Sequence, residues 1–310
     1  MAMAERRIIL VGDHRQLPHI LDEDVERQLI LSNQTTQDAL KKSLFERLFR
    51  QLREWEQRDG IKRTVTLDTQ YRMHPILGDF VSRTFYEYHG EPAIKAGRAE
   101  EDFVHDLPDY QGKVAAWINV PFDLGSETRG KSKSRPVEAR RIVKELKRLI
   151  EHDSRLTFGV IAFYKEQVNQ LWKELCEVGL AERTDEGTYQ IASSWQETTN
   201  HQGKIVEQLR IGTVDAFQGK EFDVVFLSMT RSNNIQATPD RPETYRQKYG
   251  FLRLENRLCV AMSRQQRLLI VTGDLEMVMA EANRPEYERQ AIRELIAFHE
   301  LCQTPHGKVF

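Results

Sequence analysis

Two short apolar runs flank a crowded polar turn in the stretch Ile211–Ser228, IGTVDAFQGKEFDVVFLS. The second run, Val224–Leu227, is continuously apolar, which is typical of a strand buried on both faces of a parallel sheet. The charged and amide side chains between the runs contribute little to packing. They indicate a ligand site at the edge of a sheet, where α/β proteins bind ligands. A charged surface loop is the alternative interpretation.

Composition limits the class of protein. The chain has 310 residues, enough for one large or two modest domains, and 40% of them are hydrophobic and 30% charged, as in ordinary globular proteins. A formal net charge of -2 excludes a uniformly basic protein. Any nucleic-acid binding must therefore come from a local groove.

Cysteine usage and hydropathy exclude further classes. The three cysteines lie far apart and form no Cys-x-x-Cys pair, so neither a disulfide scaffold nor a cysteine-rich zinc site is predicted. No apolar run approaches the length of a membrane span, and residues 1–7 are too short and polar for a signal peptide. We therefore expect an intracellular protein, cytoplasmic or nuclear, with no membrane partner.

Strands alternate with helices along the chain. Apolar or alternating runs predict strands at Ile8–Val11, Arg63–Leu67, Val114–Val120, Leu156–Phe163, Ile211–Val214, Val224–Ser228 and, as the last strand, Arg267–Thr272. Helical spacing predicts helices at Ser43–Gln57 (with a buried aromatic stripe), Pro75–Tyr86, Pro136–Ile150, Leu252–Arg264 and Glu276–Leu301. A further helix is predicted through Gln167 and Leu175, ending at Gly179. Residues 181–208 predict an insertion or hairpin, and residues 232–249 a long loop. This alternation predicts an α/β fold with a doubly wound, mostly parallel sheet.

Polar clusters flank four of the predicted strands. They are Asp13 with Gln16, Gln70 with Tyr71 and Arg72, Gln218 with Gly219 and Glu221, and Ser263 with Arg264. Arginine and glutamine without a nucleophile triad or paired histidines indicate phosphate handling rather than acyl chemistry. Hydrolysis of a nucleoside triphosphate needs a group that orients water and arginines that neutralise charge in the transition state.

Two expected parts of a nucleotide site are missing from the sequence. It contains no Gly-x-x-x-x-Gly-Lys-Ser/Thr phosphate loop and no Asp-Glu pair after a predicted strand, so we expect little ATP hydrolysis by this chain alone. The basic segment Arg129–Arg135 predicts a solvated loop or an anion cradle. His14, His19 and His74 show no metal spacing, so no metal site is predicted.

Four segments resemble, in the right order, motifs of superfamily 1 helicases of the Upf-like (senataxin-like) branch. They are GDHRQLP at 12–18 (motif III), QYRMHP at 70–75 (motif IV), VDAFQGKEFD at 214–223 (motif V) and the segment 256–264, ending in VAMSR (motif VI). Ser43–Leu48 resembles the helix that these helicases carry between motifs III and IV. The resemblance covers about residues 8–274.

The resemblance implies the C-terminal half of an ATP-dependent DNA or RNA helicase with a RecA-like fold. Residues 1–58 would be a remnant of a first RecA-like domain and a linker helix, 59–280 the second RecA-like domain, and 281–310 a C-terminal helical tail. The phosphate loop and the magnesium-binding acids would lie upstream, in a missing N-terminal RecA-like domain. ATP and Mg²⁺ are therefore implied for the intact protein, with neither tightly bound to this chain alone.

The motifs also imply roles for individual residues. Gln16 would sense the terminal phosphate, and Arg72 and Arg264 would act as arginine fingers. The residues implied in binding ATP are Tyr71, which would stack on adenine, and Gln218, Gly219 and Glu221, near the sugar and phosphates. The implied contacts to single-stranded DNA or RNA are Pro18 and Thr213.

The sequence departs from the family pattern at three places. His19 stands where a second proline is common, Gln265 replaces an alanine after the motif VI arginine, and Ala162-Phe163 replaces Thr-Pro before Tyr164. Two other functions stay open. One is a non-catalytic nucleic-acid-binding or scaffolding module that retains the helicase fold, and the other is the motor part of a helicase-nuclease fusion.

Overall fold

The computed structural model describes residues 8–17, 43–282 and 291–310. The chain divides into two compact units, 1–68 and 69–310, and each is described by itself.

The first unit contains one regular helix, α1 (Leu44–Asp59). It begins where the Ser43 hydroxyl accepts the backbone N–H of Glu46 at 3.0 Å and ends at Gly60, which has a φ of 72°. The predicted helix is confirmed. The prediction of a buried aromatic stripe is wrong, because the described residues around α1 are themselves largely exposed and leave no residue of the helix buried.

Two predicted strands of the first unit, Ile8–Val11 and Arg63–Leu67, are irregular in the structure. A strand requires a hydrogen-bonded neighbour, and none is paired with either segment among the residues described. The backbone N–H groups of Arg63 and Thr64 are instead bound by the carboxylate of Glu56. Both predictions are therefore wrong, because apolar and β-branched composition does not supply a partner strand.

The second unit contains twelve strands in its described part. In chain order they are β1 (Thr69–Gln70), β2 (Lys95–Ala96), β3 (Ala115–Asn119), β4 (Phe158–Ala162), β5 (Ala181–Arg183), β6 (Tyr189–Ile191), β7 (Glu197–Thr199), β8 (Ile205–Glu207), β9 (Leu209–Thr213), β10 (Phe222–Ser228), β11 (Gln265–Gly273) and β12 (Gly307–Val309). Its helices are α2 (Pro75–Val81), α3 (Pro136–His152), α4 (Lys165–Glu177), α5 (Pro242–Tyr249), α6 (Glu255–Ala261), α7 (Leu275–Ala282) and α8 (Arg293–Cys302).

Six parallel strands form the main sheet, in the order β12-β3-β11-β10-β4-β9. Helices cover both of its faces, since adjacent residues of a strand point to opposite sides. Ala116 and Ile118 of β3 belong to one core with Ile142 and Leu146 of α3, whereas the ring of Trp117 lies 6.4 Å from that of Phe298 in α8. The predicted α/β class with a doubly wound, mostly parallel sheet is confirmed.

The same topology defines two opposite edges. The strands begin at the amino edge, where Phe222 and Gln265 open β10 and β11, and end at the carboxyl edge, where Ala162 and Thr213 close β4 and β9. A strand rises about 3.3 Å per residue, so a five-residue strand separates the edges by about 16 Å. This separation decides which polar residues can share a ligand.

The remaining predictions for the second unit fare differently. Residues 181–208 form the antiparallel hairpins β5–β6 and β7–β8, as expected. The predicted loop 232–249 is wrong at its end, where Pro242 starts α5. The predicted helix Leu252–Arg264 is shortened to α6, because a 3-10 turn at Gly250–Arg253 precedes it.

The predicted helix Pro75–Tyr86 keeps its bounds, because α2 continues as a π-helical turn at Ser82–Tyr86. Two further boundaries differ from the predictions. The predicted terminal helix is represented by α7 and α8, and residues 283–290 between them lie outside the described residues. Arg267–Thr272 is not the last strand, because the three-residue β12 pairs with β3 after α8. No helix in the described ranges is long and apolar enough to cross a membrane.

Candidate functional site at the amino edge

Three segments that are distant in sequence meet at the amino edge. The guanidinium of Arg72 donates from Nε to Oε2 of Glu221 at 2.8 Å and from Nη1 to the carbonyl of Ser263 at 2.9 Å. Glu221 immediately precedes β10, and Ser263 lies two residues before β11. The fold therefore joins the segments of the predicted motifs IV, V and VI through one arginine side chain.

The turn that carries Arg72 is shaped by the amide of Gln70. Its Oε1 accepts the backbone N–H groups of Arg72 and Met73, at 2.9 and 2.8 Å, and its Nε2 donates to the Met73 carbonyl at 2.9 Å. Gly78 makes room for this amide, because a Cβ there would lie 2.6 Å from Nε2. Gln70 thus fixes the backbone from which Arg72 extends.

Tyr71 presents its ring to solvent beside this arginine. The residue is 64% exposed, and the ring rests on Gly97, where a Cβ would lie 2.3 Å from a ring carbon. The N–H of Gly97 donates to the Gln70 carbonyl at 2.8 Å, which holds this platform in place. The ring is supported by the backbone and accessible to a planar ligand.

The two predicted arginine fingers differ in accessibility. The Arg72 side chain is 30% exposed, whereas Arg264 is 2% exposed. The guanidinium of Arg264 donates to the carbonyls of Val260 (3.0 Å) and Lys220 (3.5 Å) and to the hydroxyl of Ser263 (2.8 Å). In this arrangement Arg72 is the arginine that a ligand can reach, and Arg264 braces the segments around it.

The predicted nucleotide-contacting turn, residues 218–221, is exposed at the same edge. It is anchored by the fully buried ring of Phe217, whose carbonyl accepts the N–H of Lys220 at 3.0 Å. Gly219 has a φ of 76°, a left-handed conformation that favours glycine. The backbone can therefore turn sharply and bring Gln218 and Glu221 to the surface near Arg72.

Gln266 is part of this cluster, and sequence reasoning missed it. Its Nε2 donates to Oε1 of Glu221 at 3.1 Å, and its carbonyl accepts the N–H of His74 at 2.8 Å. Glu221 is thus held by Arg72 on one oxygen and by Gln266 on the other. The two partners are 45 residues apart, so no local pattern pointed to this contact. We call Arg72, Glu221, Arg264 and Gln266 the amino-edge cluster.

Thr213 lies at the other edge of the sheet. It closes β9 and is paired with Ala162 at the end of β4. Residues 214–221 run back from there to the amino edge, so the stretch Ile211–Ser228 touches both edges. Asp215 within it accepts from Nη1 of Arg257 at 3.0 Å, and Arg257 belongs to α6, the helix that leads to Arg264.

The carboxyl edge contains a buried polar network around Glu138. Its Oε1 accepts the hydroxyl of Ser228 (2.5 Å) and the N–H of Thr230 (2.8 Å), and its Oε2 faces the Arg135 guanidinium at 3.4 Å. Burial raises the pKa of Glu138 to about 7, and the charge of Arg135 and these hydrogen bonds oppose the shift. Thr230 has a left-handed φ of 64°, so Glu138 stabilises a backbone conformation that threonine rarely adopts.

A second buried pair lies beside this network. Nε of Arg231 donates to Oε2 of Glu127 at 2.8 Å, and both side chains are less than 10% exposed. The same oxygen accepts the N–H of Ser232 at 2.9 Å and the Asn233 amide at 3.0 Å. The segment that follows β10 is thereby held rigidly at the carboxyl edge.

The other predicted site residues lie elsewhere. Gln16 belongs to the first unit, where its Nε2 donates to Oδ2 of Asp13 at 2.7 Å. Pro18 and His19 lie outside the described residues. His74 caps α2 by accepting the N–H of Ile76 at 3.2 Å, and burial lowers its pKa, which fits a structural histidine.

Neither edge offers a metal centre in the described ranges. No group of three or more His, Cys, Asp or Glu side chains there is arranged to hold a metal ion. The chemistry of the amino-edge cluster is that of arginine, amide and carboxylate groups, which suits binding of phosphates and of a sugar hydroxyl.

Comparison with known proteins identifies the class that this fold and cluster define. A family model described as an AAA domain matches residues 40–276, and the chain belongs to that family. The match includes every described residue of the amino-edge cluster. Within it, the relatives place the chain in the Upf-like branch of superfamily 1 helicases.

Three curated relatives match most of this chain, and two of them are named as helicases. The regulator of nonsense transcripts 1 homolog of Neurospora crassa is 28% identical over 87% of this chain and 20% of its own length. The DNA polymerase alpha-associated DNA helicase A of Saccharomyces cerevisiae is 26% identical over 90% and 35%. An ATP-dependent helicase of Methanocaldococcus jannaschii is 24% identical over 87% and 32%. The chain thus spans about a fifth to a third of these relatives.

Among solved structures, the C-terminal domain of a possible DNA helicase from Lactobacillus plantarum matches 66% of this chain and 88% of its own. The identity is 13% and the TM-score 0.33. This likeness is too low to carry an argument about the site.

Proposed function

We propose that this chain is the arginine-supplying second motor domain of an ATP-dependent helicase that translocates along single-stranded DNA or RNA. The observation that supports this most strongly is the convergence of Arg72, Glu221 and Ser263 at the amino edge. Three separate helicase motifs meet there through hydrogen bonds of 2.8 and 2.9 Å. Such a convergence has little purpose in a module that only binds or scaffolds.

In the proposed site, adenine stacks on the exposed ring of Tyr71. Gln218, Gly219 and Glu221 approach the sugar and phosphates. Arg72 exchanges its ion pair with Glu221 for the phosphates. The pair is 30% and 49% exposed at its two side chains, and exposed pairs of this kind contribute only about 0–1 kcal/mol. A nucleotide can therefore replace Glu221 as the partner of Arg72 at little cost.

Arg264 and Gln16 complete the proposed set. In the intact protein we propose that ATP binds in a cleft between an N-terminal RecA-like domain and this one. Arg264 supports the cluster from beneath and supplies a second positive charge near the phosphates once that cleft closes. Gln16 is proposed, from its motif alone, to sense the terminal phosphate. Arginine fingers increase the rate of phosphoryl transfer by about 10³–10⁵ because they neutralise charge that develops in the transition state.

A second RecA-like domain must supply what the sequence lacks. The chain contains no phosphate-loop motif, so we assign that loop, and the acids that bind Mg²⁺, to an N-terminal RecA-like domain of the intact protein. Mg²⁺ held by those acids would neutralise negative charge on the phosphates. This chain alone is then expected to be inactive. Residues 1–58 are proposed to continue the first domain, 59–280 to form the second, and 281–310 to follow as a C-terminal tail.

The two edges of the sheet suggest how the nucleic acid is moved. Thr213 and Pro18 are the proposed contacts to the nucleic acid, and Thr213 lies at the carboxyl edge of the sheet. Residues 214–221 join Thr213 to the proposed nucleotide-binding turn. Closing or opening of the cleft at the amino edge would therefore shift the contact between Thr213 and the nucleic acid. Domain closure of this kind commonly gates motor enzymes.

The proposal is tested by ATP hydrolysis of the full-length protein in the presence of oligo(dT) or oligo(U). Arg72→Ala should lower kcat by about 10³ or more. Arg83→Ala is the matched control, because Arg83 is an exposed arginine with only a surface ion pair to Asp79. Near-normal turnover of Arg72→Ala, or a wild-type protein that binds strands without hydrolysing ATP, would contradict the proposed motor and favour a binding module.

A further inference from the structure

The basic loop, residues Thr128–Ser134, is closed at its base. The N–H of Thr128 donates to the Ser134 carbonyl at 2.8 Å, and the N–H of Ser134 donates to the Thr128 hydroxyl at 2.9 Å. Nζ of Lys133 donates to the Thr128 carbonyl at 3.2 Å. These contacts fix the base of the loop, so its cations are presented with less conformational freedom than on an open loop.

The basic loop lies across the carboxyl edge. Next to its base, the N–H of Glu127 donates to the carbonyl of Ser232, in the segment after β10, at 3.2 Å. At its tip, the hydroxyl of Ser132 accepts the N–H of Glu166, in the first turn of α4, at 3.1 Å. α4 follows β4, whose last residue Ala162 is paired with Thr213. The loop and Thr213 therefore flank the same strand end.

Three cations on this surface are free of acidic partners. Arg129, Lys131 and Lys165 are exposed, and none of them makes an ion pair within the part of the chain that the structure describes. The neighbouring acids are engaged elsewhere. Glu127 is paired with Arg231 at 2.8 Å, and Glu166 accepts the Asn169 amide at 3.3 Å. In a chain of net charge -2, this patch is a local concentration of unneutralised positive charge.

We propose that Arg129, Lys131 and Lys165 bind the phosphate backbone of the same single strand that Thr213 contacts, and so extend its path across the carboxyl edge. This inference rests on the proposed function. The tip of the loop carries arginine, lysine, glycine and serine and no aromatic side chain. Such a surface contacts phosphates and not bases, so it adds affinity without sequence preference.

The test is the salt dependence of the affinity of the full-length protein for single-stranded oligonucleotides. Fluorescent oligo(dT) and oligo(U) are titrated over a series of salt concentrations with the wild type, with Arg129→Gln/Lys131→Gln, and with Lys144→Gln/Lys173→Gln. The last variant is the matched control. Lys144 and Lys173 are exposed lysines of α3 and α4 that also lack an ion pair among the described residues.

The expected change is set by counterion release. Each phosphate contact to a single strand contributes about 0.7 to the slope of log affinity against log salt, so losing two should reduce the slope by about 1.4. The same relation gives a loss of oligonucleotide affinity of about 25-fold at roughly 0.1 M salt, and this loss disappears as the salt concentration approaches roughly 1 M. The control should keep the wild-type slope. Equal thermal midpoints for the three proteins establish that folding is unchanged.

Three other outcomes have distinct meanings. A loop variant with the wild-type slope would overturn the inference while leaving the helicase proposal intact. An equal loss in the control would also overturn it, because overall charge and not the loop would then set the affinity. A wild-type protein that binds neither oligonucleotide would overturn the proposed function itself.

Discussion

The two edges of the main sheet hold their charged groups in opposite ways. At the amino edge, the ion pair of Arg72 with Glu221 is 30% and 49% exposed. At the carboxyl edge, the pair of Arg135 with Glu138 is completely buried, and that of Arg231 with Glu127 nearly so. Exposed pairs are exchanged for a ligand at little cost, whereas breaking a buried pair leaves an uncompensated charge. The amino edge is thus suited to exchanging partners, and the carboxyl edge is a rigid platform.

Among the variants that distinguish the amino edge from the carboxyl edge, Arg264→Ala in the full-length protein is expected to have the largest effect. Its loss removes the charge that we propose to lie near the phosphates. It also removes the hydrogen bonds to Val260 and Lys220 that brace the cluster, so kcat for ATP should fall by about 10³ or more. Affinity for oligo(dT) should stay close to that of the wild type, because the carboxyl edge is untouched. Thermal unfolding of the same variant checks that it is folded. Turnover near the wild-type rate would contradict the role of Arg264.

The next largest effect concerns the pH dependence of stability at the carboxyl edge. Because the pKa of Glu138 is about 7 in the folded protein and about 4.5 ordinarily, the folded state holds the proton more tightly. The contribution of protonated Glu138 to the free energy of unfolding is fully present below pH 4.5 and is lost as pH rises through 7. This contribution is about 3 kcal/mol. Glu138→Gln should remove this dependence relative to the wild type in denaturant unfolding between those pH values.

The control for that experiment is Glu151→Gln, a change to an exposed carboxylate on the same helix. It should retain the wild-type pH dependence. An unaltered pH dependence in Glu138→Gln would show that the buried network does not titrate in this range.

A smaller effect is expected when the support of Glu221 is removed. Gln266→Leu deletes the hydrogen bond to Oε1 of Glu221, and a hydrogen bond to a charged group contributes about 1.5–3 kcal/mol. Since Glu221 is partly exposed, the lower limit applies, which corresponds to about a tenfold loss of kcat/KM for ATP. Most of this loss should appear in KM, because Gln266 holds Glu221, which is proposed to bind ATP. Gln266→Lys, which restores a donor, should recover part of the loss, and equal values for both variants would contradict a positioning role.

The smallest effect concerns the connection between the edges. Asp215 and Arg257 join residues 214–221 to α6 through a partly exposed ion pair of 3.0 Å. A double-mutant cycle with Asp215→Asn and Arg257→Gln should give a coupling of about 0.5 kcal/mol in stability. Both single variants should lower the stimulation of ATP hydrolysis by oligo(dT) more than the unstimulated rate. Equal loss of both rates would show that the pair does not connect the edges.

The fold was predictable where the local sequence alone determines the element. Val224–Leu227 is apolar on both faces, and it became the buried strand β10. Ile8–Val11 has a similar composition but is irregular, because its pairing partner is not encoded locally. β12 was missed for a related reason, since a three-residue strand containing Gly307 and Lys308 has no recognisable period.

The candidate site was predictable in its residues and not in its placement. The motifs pointed to Arg72, Glu221 and Arg264, and the fold brings these side chains to one edge. The general rule for α/β proteins pointed to the carboxyl edge, yet Glu221 and Arg264 precede their strands and lie at the amino edge. Gln266 was missed because its partner is 45 residues away. Only the register of β10 against β11 brings the two together.

The central claim is that nucleotide and nucleic acid bind at opposite edges of one sheet. Hydrogen–deuterium exchange of the full-length protein tests it most directly, with a non-hydrolysable ATP analogue and oligo(dT) added separately. The analogue should protect peptides that contain Tyr71 and residues 218–221, and the oligonucleotide should protect those that contain Thr213 and the basic loop. Protection of the same edge by both ligands, or protection of the amino edge by the oligonucleotide alone, would contradict the claim.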